Sequence, residues 1–423
     1  MGELRAMCRS GAWVAITFAR RLEHKLLDPI RRTLHVRRTG KVTASAADRE
    51  RFVRFAKPAG NARDVVCLAM IPWDFRFQRP QQLMRQFGAA GHRVFYVNLH
   101  FRTTGPAWAA TEKAPNVYEV TLRGPRVDLY RQTIDESAWD AIFDSLSVVA
   151  SDLVFDDAAT SFVHLPSWWP LVRRARERFG WRLIYDCFDD HSGFTGAAGR
   201  MVANERELAA AADLVVASSS VLDERMRTLA ANVLLLRNGC DYEHFAATER
   251  KRGKRPVIGY YGAISDWFDS DLVAVLADRR PDWDFVLVGS TSGADTSRLR
   301  RLPNVSLPGE RSYESLPRWL GRFDVAVIPF KASALTNATN PVKVYEMLAA
   351  GMAIVSVPMR EVVPLVPLVR LASSSAEFER EISAALEERD EALIERRRSY
   401  ARQNTWRERY GGLARAVAAI PSR

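Results

Sequence analysis

The chain has 423 residues, with 61 Lys and Arg against 50 Asp and Glu, a formal charge of +11. That length exceeds one ordinary hydrophobic core and suits two domains of about 150 to 200 residues. Residues 1–60 hold 14 Lys and Arg against 5 Asp and Glu, a net +9 that leaves +2 for all the rest; a nucleic-acid-binding fold would spread its basic residues over a folded face, so no nucleic-acid partner is expected.

Residues 1–61 read as a basic N-terminal extension with a helix in it. Val14, Phe18, Leu22, Leu26 and Ile30 recur every four residues while Arg20, Arg21, Glu23 and Lys25 face away, the pattern of an amphipathic helix. Its apolar run, Ala12 to Ala19, falls short of the roughly 20 residues that span a bilayer, and it continues into "ARRLEHK" without a signal-peptide cleavage site. An apolar stripe beside Arg and Lys suits an anionic membrane surface; a helix docked on its own protein, or a basic tail, fits the same residues. Cys8, Cys67, Cys187 and Cys240 are scattered without metal-ligand spacing and read as free thiols of a reducing cytoplasm.

From Asp64 short apolar runs alternate with helical patterns: "DVVCLAM", the helix "RPQQLMRQFGAAG", then "RVFYVN", "SFVHL", "RLIYDC", "DLVVASS" and "NVLLLRNGCD". Apolar strands separated by helices mean a parallel sheet covered on both faces, so residues 62–246 form one Rossmann-like domain. The charged run "ATERKRGKRP", 247–256, is a linker. The alternation restarts with "VIGYYG", "DFVLVG", "NVSLPG", "DVAVIPF" and "AIVSV", giving a second such domain over 257–402, with a last helix in 403–423. The expected fold class is therefore α/β, two doubly wound parallel sheets facing a cleft. Ligands of parallel sheets sit beyond the carboxyl ends of the strands, so the site is expected in that cleft.

In the first domain, the loop "IPWDFRFQRPQQL" (71–83) carries no glycine and is unsuited to a dinucleotide phosphate turn. Trp73 and Phe75 would offer flat faces to a sugar or lipid-linked acceptor, and Gln78, Arg79 and Gln81 bring donors to a helix with Pro80 at its start; packing of Phe77 in the core and exposure of Arg79 is the plainer reading. The loop "YDCFDDHSGF" (185–194) concentrates Asp186, Asp189, Asp190 and His191. A carboxylate within hydrogen-bond reach of a hydroxyl can take its proton, and Asp190 and His191 are the candidate catalytic groups, with Asp186 and Asp189 in the cleft and Glu205 supporting the loop. The alternatives are an aspartate pair holding a divalent cation and a turn whose Asp side chains cap backbone amides. "RNG", 237–239, reads as a turn.

In the second domain, "NPVKVYEMLAAG" (340–351) stands out. Asn340 suits an N-cap and Pro341 the first helical position, which aims unpaired amides and the positive end of the helix dipole at the cleft, where an anion belongs. Lys343 in the first turn adds positive charge, and Glu346, three residues on, shares its face; an ionised carboxylate accepts both hydroxyls of a ribose. Phosphate on the amides and Lys343, with ribose on Glu346, is a coherent nucleotide site. A Lys–Glu pair on a solvated face is the bland alternative.

Together with "DVAVIPF", "WDFRFQRPQQLM", "YDCFDDHSGF", "ADLVVASSSVL", "RNGCDYEHF", "YYGAISDWFD" and "LPNVSLPG", this segment resembles, in order over most of residues 64–410, the GT-B glycosyltransferases of the family 4-like group, and among them bacterial cell-surface polysaccharide enzymes of the teichuronic-acid-biosynthesis type. The resemblance implies a nucleotide diphosphate sugar as co-substrate on the second domain, a glycan or lipid-linked acceptor on the first, a retaining transfer of hexosyltransferase type, no metal and no other cofactor, and a last helix that crosses back to the first domain. It implies a cytoplasmic protein, peripheral on the inner face of the cell membrane if the extension binds there. The sequence also departs from the group. Relatives carry two glutamates eight positions apart, and Ala338 stands where the first would be. Relatives place Arg and Lys after the first strand of the second domain, where this chain has "YYGAISDWFD", with Gly262 permitting close backbone approach; Lys343 and Arg79 are then the candidates to meet the diphosphate. A nucleotide-sugar epimerase of the same architecture, or a catalytically inactive binding subunit, are the competing readings.

Overall fold

The computed structural model describes residues 62–155, 159–191, 198–250 and 253–420. The basic extension, with its amphipathic helix, Cys8 and the membrane reading, lies outside the described residues.

The first sheet is built from β1 (Val65–Leu68), β2 (Val94–Val97), β3 (Trp108–Ala114), β4 (Val117–Leu122), β5 (Thr160–Val163), β6 (Arg182–Cys187), β7 (Leu214–Ala217) and β8 (Val233–Leu235), in the order β3-β4-β2-β1-β5-β6-β7-β8. Every residue of β1, β2, β5, β6 and β7 is buried, as expected of parallel strands with helices on both faces. One edge departs from the sequence reading. β3 and β4 pair antiparallel as a hairpin turning at Asn116, whose φ is 62°.

The second sheet comprises β9 (Val257–Tyr261), β10 (Asp284–Val288), β11 (Val305–Gly309), β12 (Val325–Ile328), β13 (Ala353–Ser356) and the short β14 (Arg370–Leu371), in the order β11-β10-β9-β12-β13-β14. All five pairings are parallel. The strand order reverses between β9 and β12, and between β1 and β5 in the first sheet, and a crevice opens at each such reversal. The loops after β1, β9 and β12 therefore meet in one place.

Two apolar layers sandwich the first sheet. One of them, with Val65, Leu83, Phe87 and Phe162, is completed by Trp406 and Leu413 of the last helix, Trp406–Ala418, and Tyr410 sets its ring edge-on to Phe87 at 4.9 Å. The chain thus returns to its first domain after the second is finished. Among the described residues no helix is long and apolar enough to cross a membrane. Cys67, Cys187 and Cys240 are buried free thiols, held up in pKa by burial.

Candidate active site

A cavity of about 1000 Å³ lies between the domains, walled by the loop after β1 on one side and by Gly262, Gly289 and the segment Thr339–Lys343 on the other. Gly262 has φ +133°, and a Cβ there would stand 2.9 Å from Lys343 Cε. A side chain would be strained and would push the lysine away, so glycine lets the Lys343 stem lie along the backbone.

The helix following this segment runs Val342–Ala349, with Pro341 as its extended N-cap. Asn340 is therefore not the N-cap, and its side chain does not serve the helix start. It is 3% exposed and turned to the first domain, with Oδ1 accepting from Asn238 N at 2.8 Å and the Asn340 carbonyl accepting from Asn238 Nδ2 at 2.6 Å. Asn340 Nδ2 donates to Tyr345 Oη and Glu361 Oε2, both at 3.1 Å. "RNG", read as a turn, supplies half of this interdomain clasp.

Lys343 Nζ sits 5.5 Å from the Tyr260 ring centre and 5.1 Å from that of Phe330, cation–π contacts made within the cavity wall. Burial brings its pKa down to about 8, against the opposing pull of Glu346 and with a further push from Arg76. Glu346 is 5% exposed and accepts a hydrogen bond from Tyr261 Oη at 2.7 Å. Burial raises its carboxyl to about 7, although Tyr261 and Lys343 both favour the charged form. The two groups are thus not a solvated surface pair. They form a desolvated acid and base sharing a cavity, a setting in which ligand charge is felt strongly. Thr336 and Thr339 line the cavity on either side of Ala338, which is itself buried.

On the first-domain side the geometry differs from the sequence reading at several residues. Trp73 is 6% exposed and packs edge-on against Tyr96 at 5.2 Å and Phe77 at 6.0 Å, so only a margin of it reaches the cavity. Gln78 is exposed on the cavity wall at the head of the helix Arg79–Ala89, its backbone N–H donating to Gln81 Oε1 at 3.2 Å. Arg79 is 1% exposed and its charge is committed. Its Nη2 donates to Asp186 Oδ1 at 2.8 Å and its Nε to Oδ2 at 3.0 Å, while Nη1 donates to the Leu236 carbonyl and to Asn238 Oδ1. Burial alone would raise the Asp186 carboxyl, but Arg79 and His164 overcome it and hold it below the usual range. Arg79 and Asp186 are a buried structural pair, so Arg79 is not the cation left to meet a diphosphate.

The acidic loop divides. Asp190 pairs with Arg225 at 2.5 Å, and Arg225 also reaches Glu205 at 3.3 Å, the supporting role expected for Glu205. His191 is 2% exposed, its pKa brought down to about 4 by burial and by Arg225. Of the two candidate catalytic groups, Asp190 is half-buried in its ion pair and His191 is buried, and neither is among the residues that wall the cavity. Asp189 lines the cavity, and burial, with the charges of Asp190 and Asp186, lifts its carboxyl to about 7. Asp189 and Asp190 do not share a site, and among the described residues no cluster of three or more His, Cys, Asp or Glu is placed to hold a metal. The sequence analysis passed over Tyr261, Asn238, Arg76 and Glu310 as site residues. Arg76 and Glu310 face the cavity from opposite domains, and Tyr313 Oη accepts from Gln82 Nε2 at 2.9 Å across them. Position at or just beyond the end of a strand was the signal available for Tyr261, Asn238 and Glu310.

Two sheets facing a cleft, with a helix start aimed into it from the second, define the GT-B fold. Residues 255–388 match the family described as Glycosyl transferases group 1. Bacillus subtilis (strain 168) TuaH, named for glycosyl transfer in teichuronic acid biosynthesis, is 29% identical over 201 residues, 42% of this chain and 51% of that protein. The match therefore spans about half the length of that relative. Among solved structures, sucrose-phosphate synthase from Thermosynechococcus elongatus superposes with a TM-score of 0.67 at 14% identity, covering 85% of this chain and 100% of that one. HepE of Anabaena, crystallised with UDP and glucose, gives 0.62 at 14% identity with the same coverage. At such identities these two speak for the fold alone.

Proposed function

We propose that the protein is a glycosyltransferase that moves a hexosyl group from a nucleotide diphosphate sugar to a glycan or lipid-linked acceptor in the synthesis of a bacterial cell-surface polysaccharide. The observation that carries this reading is the Lys343–Glu346 pair, desolvated at the head of the helix Val342–Ala349 inside the interdomain cavity. The name of TuaH and the nucleotide and sugar held by HepE support it.

In this reading the ionised Glu346 accepts the ribose hydroxyls, steadied by Tyr261, and Lys343 with the positive helix end faces the diphosphate. As the sugar departs, negative charge grows on that diphosphate, and fixed positive groups in a site poor in water lower the barrier most. Asp189, with a carboxyl near neutrality, faces the acceptor and takes its hydroxyl proton. Transfer proceeds with retention, needs no metal and calls on no protein nucleophile. A lipid-linked acceptor would place the enzyme at the inner face of the cell membrane, with residues 1–60 resting on anionic lipid.

The test is calorimetric titration with UDP, GDP, ADP and dTDP, with and without magnesium, on wild type and Glu346→Ala, followed by a transfer assay with the matching nucleotide sugars. Metal-independent binding of one nucleotide, lost in the variant, together with transfer, supports the reading. Turnover of the donor without an acceptor points to an epimerase, and binding without turnover to an inactive subunit. Binding of none of the four sinks it.

A further inference from the structure

One charged contact crosses the cavity. Arg76, in the loop after β1, donates through Nε to Oε1 of Glu310, which directly follows β11, at 2.5 Å; the side chains are 22% and 27% exposed. Only one edge of each group is used. Arg76 Nη2 and Glu310 Oε2 are buried and without a hydrogen-bond partner. Arg79 shows what a settled pair looks like in this protein, with two guanidinium nitrogens on two carboxylate oxygens, the fork geometry that makes such pairs strong. An N–H edge kept buried and unsatisfied costs free energy that an arriving acceptor recovers.

The charge around the cavity says which acceptor. Lys343 shares the cavity with Arg76, and the Arg76 charge contributes to depressing the Lys343 pKa; two cations held close in a desolvated place favour a multiply charged anion. The segment after β9, "GAISDWFD", supplies no cation, and Arg79 is consumed by Asp186. Of the other cations that line the cavity, Arg85 and Lys113 are paired with carboxylates and Arg311 is exposed, and Lys343 alone would leave a nucleoside diphosphate under-neutralised.

Resting on the donor reading above, we propose that Arg76 is the first-domain cation for the donor's diphosphate, and that Glu310 is an internal carboxylate that holds Arg76 until the diphosphate displaces it. A diphosphate offers both edges of the guanidinium a partner and carries more charge than one carboxylate, so the exchange runs toward the ligand. Because Arg76 and Glu310 belong to different domains, the exchange also rewrites one of the contacts that join the two. Glu310 thereby weakens nucleotide affinity in return for fast release of the diphosphate product.

The experiment measures nucleotide Kd, with whichever of UDP, GDP, ADP and dTDP binds wild type best, in Arg76→Ala, Arg76→Lys, Glu310→Gln and the Arg76→Ala/Glu310→Gln double variant. Arg76→Ala is expected to weaken binding by about tenfold or more, and Arg76→Lys by less, since the charge stays while the fork is lost. Glu310→Gln should tighten binding about threefold by removing the competitor, and should change nothing once Arg76 is gone, a coupling that independent sites do not show. A tighter-binding variant is a result that damage to the fold does not produce, and Arg76→Lys keeps the test decisive if Arg76→Ala does not fold. The proposal is overturned if Arg76→Ala leaves Kd unchanged, or if Glu310→Gln weakens binding as Arg76→Ala does. Loss of binding in Glu346→Ala with Arg76→Ala unaffected would leave the donor reading standing and remove this one.

Discussion

Asn238 of the first domain and Asn340 of the second hold each other by two buried hydrogen bonds, one from backbone N–H to side-chain oxygen and one from side-chain amide to backbone carbonyl. Arg79 extends the contact back to Asp186, and Glu361 extends it forward to Ser220 and Arg237. One continuous polar chain thus joins the core of the first domain to the residue just before the helix Val342–Ala349.

Asn340→Ala would remove the acceptor of Asn238 N–H and one donor to the buried Glu361. Buried polar groups stripped of a partner cost about 1–3 kcal/mol each, so urea unfolding should show a loss of about 2 kcal/mol or more. The nucleotide Kd should rise as well, because the segment it anchors lines the cavity. An unchanged unfolding midpoint would show that the clasp is idle.

Asp186→Asn leaves Arg79 charged and buried without its partner, a change expected to cost about 3–5 kcal/mol. The direction with pH follows from the depressed Asp186 pKa. A carboxyl held below its unfolded value stabilises the fold above that value, and the contribution is lost as pH falls through the folded one. Wild type should therefore lose stability in acid, below about pH 4, more steeply than the variant, as followed by thermal melts across pH.

Nucleotide affinity should be bell-shaped in pH. The ribose contact needs Glu346 ionised, which occurs as pH rises through about 7, and the phosphate contact needs Lys343 protonated, which is lost as pH rises through about 8. Affinity should then peak between the two. Glu346→Gln should flatten the acid limb and Lys343→Met the alkaline limb. A pH-independent Kd in wild type would contradict both assignments.

Asp189→Asn should slow transfer by about a hundredfold while leaving nucleotide Kd near wild type. Asp190→Asn, which removes the charge that pairs with Arg225, should act on thermal stability instead. Equal rates in Asp189→Asn and wild type would remove Asp189 from the chemistry.

The parallel strands were legible because burial on both faces leaves unbroken apolar runs such as "DVVCLAM" and "RLIYDC". The β3–β4 hairpin was not, since Thr111 and Glu112 are exposed and interrupt the run so that it reads as loop. Lys343 and Glu346 could be picked out because a charged pair in an apolar helix demands a reason. Arg76 and Arg79 share one loop and one chemistry, and what separates them is the sheet order. It places β6, and with it Asp186, two strands from β1, where Arg79 can reach it and Arg76 cannot. Asp189 was read into the cleft from its loop, but what sets it apart from Asp190, the ion pair of Asp190 with Arg225, is a tertiary contact that the sequence does not show.

The last helix sets a schedule for the newborn chain. Domains tend to fold in the order they leave the ribosome, but here the layer around Phe87 and Phe162 lacks Trp406 and Leu413 until the second domain has been translated. The first half must wait, with that apolar layer uncovered, while the whole second half is made. Ribosomes stalled late in the message, or messages cut short after the linker, should therefore yield a first domain that sticks to chaperones or to other copies of itself, and adding the C-terminal segment in trans should relieve it.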